Sequence, residues 1–170
     1  DLTKAGFKAR VHQMAVGRGP TDVNLLFKAE RHQAGGFIDP ATSLPYENLA
    51  DLTAATDGVF VDENVINWNQ DAPTAIGNFS ANSTPPMEDE PVPGIPGTTL
   101  STDSYVAEMQ TYLNLKGGVY RFGVNSDDGF KVSVARSPGD VNGLVLGSFN
   151  GGRGSADSIF DFIAPVDGAY

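Results

Sequence analysis

The strongest constraint on this chain is a period of two in its apolar residues, which returns along most of its length. Phe7, Ala9 and Val11 alternate with Lys8, Arg10 and His12. Successive side chains of a pleated strand point to opposite faces, so this spacing predicts a strand with one face in a core and one in water. The pattern returns in Tyr105, Ala107, Met109, Thr111, Leu113 and Leu115, and again after Lys116-Gly117-Gly118 in Tyr120, Phe122 and Val124, which together predict a hairpin. Phe130, Val132 and Val134, the run Leu144 to Phe149 and the run Ile159 to Ile163 continue it between Gly-rich turns, and Val59-Phe60-Val61 and Val65-Ile66-Asn67-Trp68 read as shorter strands. Strands this closely spaced predict an all-β chain, an antiparallel β-sandwich rather than a βαβ fold.

One short peripheral helix is expected over Asp22 to His32, with Thr21 as its cap and Gly35-Gly36 as its stop. The stretch 69–102 holds Pro85, Pro86, Pro91, Pro93 and Pro96. Proline removes a ladder donor and breaks helices, so a long surface loop inserted within a single domain, residues 1–170, is the expectation. At 170 residues such a domain can bury roughly 70% of the surface its unfolded chain exposes.

Charge narrows the partners. Eleven Lys and Arg against 21 Asp and Glu give a formal charge of −10, a field that repels nucleic acid and anionic lipid and suits cations or neutral ligands. No apolar run approaches the ~20 residues of a membrane span, so no membrane insertion is expected. The absence of Cys removes thiolate catalysis, disulfides and Cys-ligated zinc together. The chain starts at Asp1, as a processed protein or an excised piece would.

The segment richest in chemistry is Asn125-Ser126-Asp127-Asp128-Gly129, between two predicted strands. Hard cations such as calcium take six to eight oxygens, and consecutive carboxylates with loop carbonyls make a partial cage. The same residues also suit a plain Asp-rich turn whose side chains bond their own backbone. Asn142 and Asn150 lie in turns, where an Asn beside the Asp pair would add an oxygen.

The run Gly118-Val119-Tyr120-Arg121-Phe122-Gly123-Val124-Asn125-Ser126-Asp127-Asp128-Gly129-Phe130-Lys131-Val132 resembles the signature of the anthrax protective antigen N-terminal-type domain, a β-sandwich also found in flocculins, epithelial adhesins, some glycosidases and bacterial surface proteins. The strand around Phe7 to Gln13, the helix bearing Ala29-Glu30, and the closing Ala164-Pro165-Val166-Asp167-Gly168-Ala169-Tyr170 are similar to that family as well. The resemblance implies an extracellular or cell-surface carbohydrate-binding and adhesion module. In its lectin branch two adjacent Asp, here Asp127 and Asp128, are joined by a cis peptide and hold a calcium ion that ligates sugar hydroxyls, with an Asn and backbone carbonyls from a second loop nearer the C-terminus. It also implies that the C-terminal strand is missing here, leaving an open sheet edge through which the chain could self-associate. A non-sugar-binding subunit or spacer of an extracellular fibre is the alternative.

No catalytic residue is assigned, and the chain is not expected to be an enzyme. Asp62-Glu63 and Glu88-Asp89-Glu90 could serve glycosidic chemistry but read as solvated turn charges. Trp68 offers an aromatic face to a sugar, although a single Trp beside an apolar run also suits a core. Asn78 and Asn82 head glycosylation sequons. His12, on the polar face of a strand, and His32, near a helix end, have no third ligand at metal spacing and read as surface histidines.

Overall fold

The computed structural model describes residues 4–15, 24–72, 84, 87–137 and 139–170. Its elements are β1 (Phe7–Gln13), α1 (Leu26–Gln33), β2 (Phe60–Asp62), β3 (Trp68–Asn69), β4 (Glu90–Pro91), β5 (Tyr105–Gln110), β6 (Asn114–Leu115), β7 (Gly118–Ser126), β8 (Phe130–Val134), β9 (Leu144–Phe149), β10 (Ala156–Ala164) and β11 (Gly168–Ala169). Among the described residues the fold is all-β, with mostly antiparallel sheets and one short helix. No helix among the described residues is long and apolar enough to cross a membrane. The chain divides into two compact units, one from Ala5–Asp22 and Arg31–Gln110, the other from Asp1–Lys4, Val23–Glu30 and Thr111–Tyr170.

In the first unit β1 is the central strand, antiparallel to β2 on one side and to β5 on the other. The alternation read from the sequence sets its faces. Ala9 and Val11 are buried with Ala50, Phe60, Val92 and Ile95, while Lys8 and Arg10 are exposed. Gln13 continues the inward face and is fully buried. Its side-chain amide donates to the carbonyls of Ser101 and Asp103, both at 2.8 Å, and its backbone N–H donates to Asn48 Oδ1 at 2.9 Å. Asn48 in turn donates to the carbonyl of Val11 at 2.9 Å. A buried polar side chain is tolerable when bonded this way, and here it pins the irregular 97–103 segment to the strand.

The described part of the proline-rich stretch from residue 87 on carries a short strand and two core residues. β4 runs parallel to β3, and Val92 and Ile95, set between prolines, insert into the core. Proline holds the backbone extended without a ladder, and the apolar residues between then serve as plugs. β2 before the stretch and β5 after it lie in one sheet, on either side of β1.

In the second unit β7 and β10 pair over nine positions, from Ala156↔Ser126 to Ala164↔Gly118. β8 pairs with β9, with a register shift between Val132 and Ser133, and β6 pairs with β11. Tyr120 and Phe122 share a face with their partners Phe162 and Phe160. Phe122 meets Phe162 edge-on with centroids 4.7 Å apart, and Phe160 stacks at 6.4 Å on Phe130 of the other sheet. Gly147 of β9 lies under the Phe160 ring so closely that a Cβ there would sit 2.3 Å from Cδ1. The two antiparallel pairs therefore face each other through aromatic rings, a sandwich-like packing.

Two expectations need correction. The hairpin between 105–115 and 118–124 does not form, because β5 bonds to β1, and β7 bonds to β10. Alternation fixes which face a strand buries and leaves its partner open. The helix begins at Leu26 rather than Asp22, and Thr21 and Asp22 lie outside the described residues. Its first N–H, from Leu26, is taken by Asn150 Oδ1 at 2.8 Å, a cap supplied from 124 positions away. Its end is as expected: Gly35, at φ 64°, donates to His32 O and Gly36 to Arg31 O, the paired bonds of a Schellman stop.

Candidate functional site

β7 ends at Ser126 and β8 begins at Phe130, so Asp127, Asp128 and Gly129 form the link between the two sheets of the second unit. The Asp127-Asp128 peptide is cis. Gly129 is required by space: a Cβ there would lie 2.8 Å from the carbonyl oxygen of Phe149. Ser126 Oγ donates to the carbonyl of Asp128 at 2.7 Å, fastening the link across its base.

Two further segments reach this link. The loop after β9, Asn150-Gly151-Gly152-Arg153, brings the Arg153 N–H to Asp128 Oδ1 at 3.0 Å. Gly152 lies beside the pair, where a Cβ would stand in ordinary contact, 3.5 Å from Asp128 Oδ1. From the start of α1, Asn24 donates its side-chain amide to Asp128 Oδ2. Turning that amide by 180° would place its oxygen at the same spot. Asn150 is one strand end away and holds the helix N-terminus.

Arg153 organises the floor of the site. Its guanidinium donates to Ser126 O at 3.1 Å, Ser126 Oγ at 2.6 Å and Ser158 Oγ at 2.9 Å, and lies 4.4 Å from the Phe149 ring centroid. Its fork is spent on neutral groups. Among the described residues the ion pairs are Lys116 with Asp167, Arg121 with Asp161 and Lys131 with Glu30, and none involves Asp127 or Asp128. Loss of hydration and the adjacent Asp128 charge raise the Asp127 carboxyl above its ordinary value, while Ser155 and Arg153 oppose the shift. Two crowded carboxylates with surrounding amide and carbonyl oxygens fit a hard cation, which would relieve their repulsion. Among the described residues no group of three or more His, Asp or Glu side chains is placed to hold a metal, so other ligands of such an ion would be amide or backbone oxygens or water.

The remaining sequence candidates are distributed as follows. Trp68 belongs to the first unit, where its ring packs against the core and its indole N–H donates to Asp62 Oδ2 at 3.0 Å. Asn78 and Asn82 lie outside the described residues. The acid pairs converge: Glu63, Glu88 and Glu90 line one open groove of about 560 Å³ with Phe7, Val65 and Met87. Asp62 and Asp89 are occupied by hydrogen bonds from Trp68 and from Asn67 and Asn69. Asn24 was missed in sequence, because nothing local ties it to a turn 104 positions later.

The histidines require a correction. His12 and His32 are not separate surface groups, for their rings meet edge to face with centroids 4.5 Å apart. His32 is only 7% exposed. Burial, and secondarily the charge of His12, lowers its pKa from 6.5 to about 4, and burial lowers that of His12 as well. At His12 the polar face of β1 meets His32 of the last turn of α1, a local cover that strand periodicity alone does not disclose, while Lys8 and Arg10 on that face stay exposed. The chain matches no protein-family model, no curated protein and no solved structure.

Proposed function

We propose that this chain is an extracellular carbohydrate-binding module akin to the protective antigen N-terminal-type domain, in which calcium at Asp127 and Asp128 assists glycan recognition. The observation that carries the reading is the convergence of the Asp127-Asp128 link, Asn24 and the 150–153 loop on one surface, with no ion pair among the described residues to neutralise the two carboxylates. An Asn-bearing loop near the C-terminus, beside the paired Asp, is what the sequence resemblance leads one to look for. Asp127 and Asp128 would hold the ion, with Asn24 and loop oxygens completing its shell. The bound ion supplies positive charge and open positions for vicinal sugar hydroxyls. The Arg153 bonds to Ser126 and Ser158 tie the 150–153 loop to β7 and β10 beside the Asp link. The test is retention on a panel of immobilised glycans with calcium and with chelator: retention that vanishes in chelator and returns with calcium is expected, and equal retention in both refutes the calcium role.

A second reading, a structural subunit that binds no sugar, draws on the outer face of β7 and β10. Val119, Ile159 and Ile163 are 74%, 69% and 70% exposed there, around the Arg121–Asp161 ion pair. Such a face favours association between copies. Sedimentation across a wide concentration range tests it, and a monomer throughout would dismiss it.

A further inference from the structure

Four buried side-chain atoms among the described residues have no hydrogen-bond partner: His12 Nδ1, His32 Nε2, Gln33 Oε1 and Gln13 Oε1. The first three belong to one contact, where the last turn of α1 lies on β1. His12 and His32 meet there as ring neighbours, and the Gln33 amide donates to Arg10 O, two residues along the strand from His12, at 3.4 Å. Native proteins seldom leave buried polar atoms unpaired, and three in one place call for a shared partner. One proton shared between the two ring nitrogens would still leave Gln33 Oε1 unpaired. A divalent ion can engage both ring nitrogens at once.

We propose that His12 and His32, with Gln33 beside them, bind a divalent transition-metal ion of the Zn²⁺, Ni²⁺ and Cu²⁺ class. Such an ion sits about 2.0–2.1 Å from each imidazole nitrogen, so two imidazoles about 90° apart on it have ring centroids roughly 4.5 Å apart, the separation found between His12 and His32. Imidazole selects this class, whereas the oxygen donors at Asp127 and Asp128 select calcium or magnesium. The two sites thus differ in ligand chemistry, and one can fail without the other. The bound ion would tie the end of α1 to β1, linking residues far apart in sequence.

The test uses the full chain, freed of metal by chelator and then titrated by calorimetry with Zn²⁺ and separately with Cu²⁺. One equivalent should bind with a Kd in the micromolar range or below, Cu²⁺ more tightly than Zn²⁺, and at a hundredfold excess over Kd the Tm should rise by roughly 5 °C or more. His12→Gln should abolish binding while Asp128→Asn leaves it unchanged. Because a histidine variant could also disturb the fold, the wild-type Cu²⁺ complex is examined by electron paramagnetic resonance, where nitrogen coupling is expected. An oxygen-only spectrum, the absence of saturable binding, or binding indifferent to His12→Gln overturns the proposal.

Discussion

Gly147→Ala tests how the two sheets of the second unit meet. The new methyl carbon would lie 2.3 Å from Cδ1, 2.5 Å from Cε1 and 2.6 Å from Cγ of Phe160, all well inside van der Waals contact, so the ring or the β9 backbone must move by about 1 Å. The ring has little room to do so, because Phe122 and Phe130 flank it at 6.1 Å and 6.4 Å between centroids. Overpacking of this kind costs about 1–3 kcal/mol, and the rigidity of the flanking rings places this case in the upper half of that range. For a chain of this size that corresponds to a Tm lowered by roughly 4–10 °C. Phe160→Leu removes the offending ring edge at its own cost, so the double variant should be more stable than the sum of the single losses implies, with a coupling of about 1–2 kcal/mol. Urea unfolding followed by far-ultraviolet circular dichroism on the four proteins gives the cycle. Strict additivity, or a Gly147→Ala variant as stable as wild type, would refute this packing.

Other expectations follow from the first unit. In metal-free protein, His32 binds its proton less readily when folded, at about 4, than when unfolded, near 6.5. The unfolded chain therefore takes up more protons between these values, and the contribution of His32 is intact above pH 6.5 and lost as pH falls through about 4. With allowance for partial hydration at the edge of the contact this amounts to about 2 kcal/mol. Urea midpoints measured from pH 7 to pH 4 should fall accordingly, and His32→Phe should flatten the decline. A pH-independent midpoint would contradict the buried ring. Gly97→Ala would put a methyl carbon 2.0 Å from Gln13 Oε1 and 2.1 Å from the Leu49 carbonyl oxygen. One of these is fixed backbone, so a loss of about 3 kcal/mol or more is expected in thermal unfolding, and a neutral effect would mean that the 97–103 segment does not pack on Gln13.

The parts of the fold visible in sequence are those set by local chemistry. Alternation in Phe7-Lys8-Ala9-Arg10-Val11 gave the buried and exposed faces of β1 correctly, and Gly35-Gly36 marked the helix stop, because both depend on neighbours in the chain. Partner choice was not visible. Tyr105 to Gln110 and Gly118 to Ser126 carry the same period, and only tertiary packing sends one to β1 and the other to β10. The helix start failed for a related reason, since its cap is the distant Asn150. Within the candidate site the Asp127-Asp128 link was legible from composition and spacing, and Asn150 was noted as a turn residue. Asn24 and the structural part of Arg153 depend on contacts 104 and 27 positions apart, beyond what any local pattern encodes. The histidine pair shows the same limit from the other side: one position that alternation marks as wet, His12, meets the buried His32 of a helix end.

The proposed calcium ion at Asp127 and Asp128 would assist recognition of a glycan. Its most direct test is a calorimetric calcium titration of the wild-type chain beside Asp128→Asn. Removing one carboxylate charge while preserving size should weaken a two-carboxylate calcium site by at least tenfold, or about 1.4 kcal/mol, with circular dichroism unchanged. Saturable one-to-one binding in the wild type that is lost in the variant is the expected result. The absence of calcium binding in the wild type, or equal binding in both, would contradict the account and reduce the Asp127-Asp128 link to a structural turn.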